Sequence, residues 1–199
     1  MEKGARQRTW VWRSLGTIAQ LLPTWLWLVF GQFHEQGVGG LTIDPAEGAR
    51  LYALAAAHGL SDAQWRLGFC YEYGEGVLKD VMEARRLYQL AAEKGDANAE
   101  AILGHSYMTG SCGPRDFSLA MHWSRRAAEK GSGLAENSIG RMFFEGLGVP
   151  RDLHTAASWF SRAAAHGDEP DKTSFRLLSV GGAPEAAAAL QRMGIDARR

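Results

Sequence analysis

Residues 63–95 read AQWRLGFCYEYGEGVLKDVMEARRLYQLAAEKG, and this stretch returns twice with many of its small and apolar residues in the same places. The second copy occupies 99–131 and the third occupies 135–167, each 36 residues after the one before and with no insertion. A fixed period of this length is typical of stacked supersecondary units. The clearest repeated columns are Leu67, Leu103 and Ile139; Gly68, Gly104 and Gly140; Asp80, Asp116 and Asp152; and Gly95, Gly131 and Gly167.

The first half of each copy predicts one helix. In the first copy Ala63, Leu67 and Tyr71 recur every fourth residue, which places them on one helical face. Gly74 follows the expected end of this helix. The column of Gly68 falls inside the helix, where glycine costs roughly 1 kcal/mol relative to alanine. We therefore expect a closely packed neighbouring helix whose large rings cover the glycine, the candidates being Tyr88, Trp123, Trp159 and Phe160.

The second half of each copy predicts another helix. Asp80 stands at the expected N-cap, and Gly95 suits the left-handed position that ends a helix. The apolar stripe between them consists of Ala84, Leu87, Tyr88 and Ala91. A basic residue precedes the glycine in each copy, namely Lys94, Lys130 and His166, and the negative end of a helix dipole accounts for it. The sequence therefore predicts an all-α fold, an α-solenoid of antiparallel helix pairs with a 36-residue period.

The pattern A-x-x-x-L-G-x-x-Y-x-x-G-x-G-V-x-x-D-x-x-x-A over 63–84, followed by L-Y-x-x-A-A-x-x-G, resembles the Sel-1-like repeat, a relative of the tetratricopeptide repeat. The middle copy departs from it, because Cys112 and Gly113 replace a glycine and a valine. The resemblance implies a helical-repeat protein with an assembly, quality-control or signalling role.

Weakened copies flank the three regular ones. Asp44 lies 36 residues before Asp80, whereas Gly31 lies 37 before Gly68, so we expect one extra residue near the turn at 39–40. The predicted organisation is a basic N-terminus with an apolar helical segment at 1–33, a solenoid at 34–182, and a C-terminal capping helix and tail at 183–199. Within the solenoid we place a degenerate unit to 62, regular units at 63–98, 99–134 and 135–170, and a partial unit from 171.

The segment 14–33 contains no charged residue and follows a basic stretch, residues 1–13. Twenty residues at about 1.5 Å each are long enough to cross a hydrocarbon core of about 30 Å. The alternative is a buried N-terminal helix pair broken at Pro23, because 25–33 also fits the repeat register. Both alternatives remain open, and with them the choice between a membrane-associated and a soluble protein.

Composition and motifs argue against several kinds of chemistry. The chain has 22 basic and 22 acidic residues, which gives no general basis for nucleic-acid binding. The glycine pairs follow helices, so they do not indicate a dinucleotide site, and the histidines lack metal-ligand spacing. Neither G-x-S-x-G nor S-x-x-K occurs, so nucleophile arrangements with those signatures have no support. We therefore predict no catalytic residue, cofactor, metal or small-molecule substrate.

Of the two cysteines, Cys70 is expected to be buried and Cys112 to be exposed in a glycine-rich loop.

What remains is a surface that binds a protein or peptide. First helices of a solenoid line its concave face, and side chains that vary between copies are candidates for specificity. These candidates are Trp65, Phe69, Tyr73, His105, Met108, Arg141 and Phe144. The alternative is that some of them pack against the adjacent unit. We predict a non-enzymatic adaptor or scaffold that uses this face. The second hypothesis is a structural accessory subunit of a larger, membrane-associated assembly, anchored by the N-terminal segment.

Overall fold

The computed structural model describes residues 23–36 and 44–166. Within these residues the chain forms eight α-helices and no strand, which confirms the predicted all-α helical-repeat fold. Each helix is 13 residues long. The helices are α1 Thr24–Gln36, α2 Pro45–Ala57, α3 Ser61–Tyr73, α4 Val81–Glu93, α5 Ala97–Thr109, α6 Phe117–Glu129, α7 Gly133–Glu145 and α8 Leu153–Ala165.

The helix boundaries follow the period of the sequence. Helices α3, α5 and α7 begin at Ser61, Ala97 and Gly133, which are 36 residues apart. Helix α1 begins at Thr24, 37 residues before α3, so the slip of one residue is confirmed. The turn expected to hold the extra residue falls in 37–43, outside the described residues.

The predicted helix ends are also confirmed. The Asp80 carboxylate accepts hydrogen bonds of 3.0 Å from the backbone N–H groups of Met82 and Glu83. The other aspartates that cap second helices are Asp44, Asp116 and Asp152. At Asp152 the cap is reinforced by Thr155, whose hydroxyl donates to the carboxylate at 2.7 Å and lowers the pKa of that carboxyl. Helix α3 ends at Gly74 with a φ of 78°, a left-handed conformation that glycine adopts without steric cost.

The chain divides into two compact units, Met1–Lys79 and Asp80–Arg199. In the first, α1 packs on α2 and α2 packs on α3. In the second, α4 to α8 pack consecutively, and α5 also packs on α7. The predicted apolar stripe of α4, residues Ala84, Leu87, Tyr88 and Ala91, is buried.

Gly31 and Gly140 lie beneath aromatic rings. A Cβ atom on Gly140 would lie 2.7 Å from the Phe160 ring, and one on Gly31 would lie 2.6 Å from the Tyr52 ring. Gly104 differs, because it packs against Ser124, whose backbone nitrogen would lie 2.9 Å from an added Cβ. The prediction that rings cover these glycines is therefore confirmed at Gly140 and wrong at Gly104.

Part of the N-terminal apolar segment is a packed helix. Helix α1 begins directly after Pro23, and Trp27 on it is buried, with its ring centroid 4.9 Å from that of His58. Among the helices that the structure describes, none is long and apolar enough to cross a membrane. Residues 14–22 of the candidate anchor, the partial unit from 171 and the capping helix at 183–199 lie outside the described residues.

Candidate partner-binding surface

Three of the predicted side chains form one aromatic stripe on α3. Trp65, Phe69 and Tyr73 are spaced four residues apart, and the ring centroids of Phe69 and Tyr73 are 4.4 Å apart. Trp65 and Phe69 are half-buried, whereas Tyr73 is 58% exposed. The Arg66 guanidinium lies 4.5 Å from the Trp65 ring centroid and pairs with Asp62 at 3.2 Å. This arrangement offers an apolar ridge at the surface of the first unit.

The second unit carries a more polar set on α5 and α7. His105 is half-buried, and its Nδ1 lies 3.5 Å from the Ser138 hydroxyl on α7. Arg141 pairs with Glu145 at 3.3 Å, and both side chains are about two-fifths exposed. Phe144 is half-buried, and its carbonyl accepts a hydrogen bond from the Arg151 side chain. The first helices of this unit therefore present mixed polar and aromatic side chains.

Met108 does not belong to this surface. Its exposed fraction is 2%, and it packs in a core cluster with Ala120 and Met142. The repeat position that holds Glu72 in the first copy and Phe144 in the third therefore faces the core in the middle copy. Here the alternative of packing against neighbouring helices is the correct one.

The expected exposure of Cys112 is also wrong. Cys112 is completely buried and Cys70 is 7% exposed, and neither of them forms a disulfide. The Ser111 hydroxyl lies 3.8 Å from the Cys112 sulfur and 3.4 Å from the Ser106 hydroxyl on α5. The loop turns back onto α5 and carries the thiol inward, so its glycine-rich composition does not indicate exposure.

A buried carboxylate that the sequence analysis missed joins α5 to α6. Glu100 is completely buried, and its two carboxylate oxygens pair with Arg126 at 2.8 Å and Lys130 at 2.7 Å. The Arg126 guanidinium also lies 4.9 Å from the Trp123 ring centroid. Lys130 donates a second hydrogen bond of 2.8 Å to the Gly95 carbonyl. A buried charge requires such partners because its desolvation is costly.

The same cluster recurs 36 residues later between α7 and α8. Glu136 is completely buried and pairs with Arg162 at 2.8 Å and His166 at 2.7 Å. Arg162 again covers a tryptophan, with 4.3 Å between its guanidinium carbon and the Trp159 ring centroid. The helix dipole is therefore an insufficient explanation for Lys130 and His166, because both side chains contact a buried carboxylate.

A signal for this cluster was present in the sequence. In the first regular copy Gln64 replaces the glutamate, and leucines replace both the arginine and the tryptophan, at Leu90 and Leu87. The glutamate and the arginine therefore change together between copies of one chain, whereas the lysine is retained as Lys94. The clusters are internal to helix pairs, and we assign them to stability rather than to binding.

The described residues do not suggest a metal centre. Across 23–36 and 44–166, no group of three or more His, Cys, Asp or Glu residues is placed to hold a metal ion. The buried carboxylates already contact basic side chains of the protein itself.

The helix pairs, their 36-residue period and their glycine-mediated packing define a helical-repeat protein of the solenoid class. A family model described as the Sel1 repeat matches residues 30–60, 61–96, 97–132 and 133–168, which is more than two thirds of the chain. The chain belongs to the Sel1 repeat family, as the resemblance of its motifs indicated.

Two solved structures are similar along most of the chain. A Sel1 repeat protein from Oxalobacter formigenes has a TM-score of 0.73 and 29% identity, over 85% of this chain and 71% of that one. A protective antigen present in uropathogenic Escherichia coli strains, displaying an SLR fold, has a TM-score of 0.73 and 30% identity over 84% of this chain. The match covers only 37% of the antigen. No curated protein sequence matches the chain significantly. Sel1 repeat proteins generally mediate protein–protein interactions, and the family is generally non-enzymatic.

Proposed function

We propose that this protein is a non-enzymatic adaptor or scaffold that binds a polypeptide through the first helices of its repeats. The observation that carries the proposal is a contrast between neighbouring positions on these helices. Ala99, Leu103 and their counterparts Ala135 and Ile139 are buried and nearly invariant between copies. The exposed and half-exposed positions between them change from copy to copy.

The half-exposed positions carry different chemistry in successive copies. One such position holds Phe69, His105 and Arg141 in successive copies, each half-buried. An apolar ring, an imidazole and a guanidinium recognise different chemical groups, and all three side chains keep part of their surface accessible to a partner. A surface of this kind supports specific recognition of an extended or helical polypeptide.

A peptide-display selection on the full chain tests this proposal. Peptides that bind the wild-type chain are measured again by calorimetry against two double variants of matched composition. One is H105A/R141A, on the first helices α5 and α7. The control is H122A/R125A, two exposed side chains on the second helix α6. Circular dichroism verifies that both variants remain folded.

We expect H105A/R141A to weaken a substantial class of the selected peptides by about tenfold or more, the loss of roughly 1.4 kcal/mol of binding free energy. The control should change the same dissociation constants by less than about twofold. Equal effects of the two variants, or a larger effect of the control, would show that the first helices do not form the binding surface.

A further inference from the structure

We propose that His166 makes the packing of α8 against α7 sensitive to pH, so that this helix pair loosens as the pH rises through the range in which histidine loses its proton. The counterpart of His166 in the preceding helix pair is Lys130, and lysine side chains are ordinarily charged throughout that range. This inference goes beyond the proposed function and does not depend on it.

The two helix pairs hold a buried carboxylate in the same way except at one position. Glu100 of α5 and Glu136 of α7 are both completely buried. Each has one oxygen 2.8 Å from an arginine of the following helix, and that arginine covers a tryptophan ring. The other oxygen lies 2.7 Å from Lys130 Nζ in the first cluster and 2.7 Å from His166 Nδ1 in the second. Of these groups, only the last basic partner differs between the two clusters.

The imidazole of His166 occupies the place that the lysine ammonium has in the other pair. A Cβ atom on Gly131 would lie 3.9 Å from His166 Nε2, and one on Gly95 would lie 3.6 Å from Lys130 Nζ. A carboxylate only accepts hydrogen bonds, so Nδ1 carries a hydrogen in the contact with Glu136. Because 45% of the His166 side chain is exposed, water can supply or remove the second ring proton.

Two charged groups of the described residues face His166. They are the Glu136 carboxylate on α7 and the Arg162 guanidinium on α8, which pair with each other at 2.8 Å. The connection between α6 and α7 contributes Gly131, which carries no charge. With a neutral imidazole the cluster therefore has one negative and one positive charge. With a protonated imidazole it has two positive charges around one carboxylate, as lysine provides in the other pair.

Other charged side chains of this helix pair lie elsewhere. Arg141 and Glu145, in the second half of α7, pair with each other at 3.3 Å. His154 lies at the start of α8, at the opposite end of the helix from His166. Asp168 and Glu169 follow in the sequence, outside the described residues. The test therefore also moves a histidine into the preceding pair, whose helices are described throughout.

The direction of the effect follows from the burial of the carboxylate. Protonation of His166 adds a positive charge beside Glu136, and charge-assisted hydrogen bonds are stronger than neutral ones. The contact between α7 and α8 is therefore more stable at about pH 6 and weaker at about pH 8, where an ordinary imidazole is neutral. Arg162 pairs with the carboxylate at both values, so the helix pair loosens but does not unfold.

Hydrogen exchange of the full chain, followed by mass spectrometry at about pH 6 and about pH 8, tests this proposal. Dividing by the intrinsic exchange rate at each pH gives protection factors that report the opening of each helix. Wild type is compared with His166→Lys, which copies the partner used in the other pair, and with Lys130→His, which moves the histidine to that pair. Circular dichroism verifies that the variants remain folded.

We expect the protection of α7 and α8 in the wild type to fall by about threefold or more between these pH values. His166→Lys should remove most of this fall. Lys130→His should add a further fall of about threefold or more in α5 and α6, beyond any change that the wild type shows there. His166→Gln, which keeps a hydrogen-bond donor but takes up no proton, should also remove most of the fall in α7 and α8.

An equal fall in wild type, His166→Lys and His166→Gln would overturn the proposal, because another group would then cause the pH dependence. Lys130→His with the same pH response as the wild type in α5 and α6 would also overturn it, because the transferred histidine would then have no effect beside a buried carboxylate.

Discussion

Replacing Arg126 by leucine removes one of the two cations that hold the buried carboxylate of Glu100. Removing one partner of a buried pair typically costs about 3–5 kcal/mol, because the other charge remains desolvated. Two features lower this value here. Lys130 remains at 2.7 Å from the carboxylate, and the Arg126 side chain is 38% exposed, so water already screens part of its attraction. We expect Arg126→Leu to lower the free energy of unfolding by about 2–3 kcal/mol.

The companion variants show whether the charge itself is responsible. Glu100→Gln removes the buried charge but keeps the shape, and its cost should be about 1–2 kcal/mol because both cations can recover part of their hydration. The double variant E100Q/R126L reproduces the Gln64 and Leu90 combination of another copy in the same chain. It should be no less stable than Arg126→Leu alone, which corresponds to a coupling energy of about 1–2 kcal/mol.

Urea unfolding followed by circular dichroism provides the measurement. The slope of the unfolding free energy against urea concentration must be the same in all variants, because repeat arrays do not always unfold in two states. Arg125→Leu, at the exposed neighbouring position, is the control and should change stability by less than about 0.5 kcal/mol. Equal costs at positions 125 and 126, or strict additivity in the double variant, would refute the account of the buried cluster.

Three further outcomes follow from the packing and the helix caps. Gly140→Ala should lower stability by about 1–2 kcal/mol in thermal unfolding, because the cost of overpacking against Phe160 exceeds the roughly 1 kcal/mol that alanine gains in a helix. Unchanged stability would contradict the close approach of the Phe160 ring to Gly140. Met108→Ala should cost about 2–4 kcal/mol in urea, and Met82→Ala, at an exposed position, less than about 0.5 kcal/mol; similar costs would mean that Met108 is not in the core. Hydrogen bonds made in the folded state lower the pKa of Asp152. Its charge therefore stabilises the fold at pH values above the pKa of the unfolded chain, about 3.9. This stabilisation is lost as the pH falls through the lower pKa of the folded state. Asp152→Asn keeps a capping side chain without a charge, so the difference in melting temperature between wild type and variant should be constant above about pH 5 and vanish in acid; a difference that persists in acid would exclude a role for the charge.

Much of the fold was predictable because it depends on local requirements that recur. Asp80 and its counterparts mark helix starts through side-chain caps, and Gly74 marks a helix end through its left-handed backbone. These requirements act within a few residues, so spacing alone reveals them. Even the single-residue slip before Ser61 was visible, since it shifts whole columns.

The errors arose where burial depends on neighbours distant in the sequence. Met108 varies between copies in the way a surface residue does, but it packs with Met142 of the next copy. Cys112 lies in a glycine-rich loop that turns onto the preceding helix. Glu100 is an acidic residue that composition assigns to the surface, and only its two cations explain its burial. Propensity and periodicity do not determine such contacts. The proposed binding surface was predictable only as a set of positions that vary between copies.

The placement of the Glu100 cluster also bears on how repeat units are added to such a protein. Glu100, Arg126 and Lys130 all fall within the single matched segment 97–132, and the second cluster falls within 133–168. A duplication of one such genetic block copies the carboxylate together with both of its cations. Blocks joined at these boundaries keep each buried carboxylate with its two basic partners, so this cluster does not oppose a change in the number of units. A crossover between the two helices of a pair would separate the carboxylate from its basic partners and leave a buried charge without them.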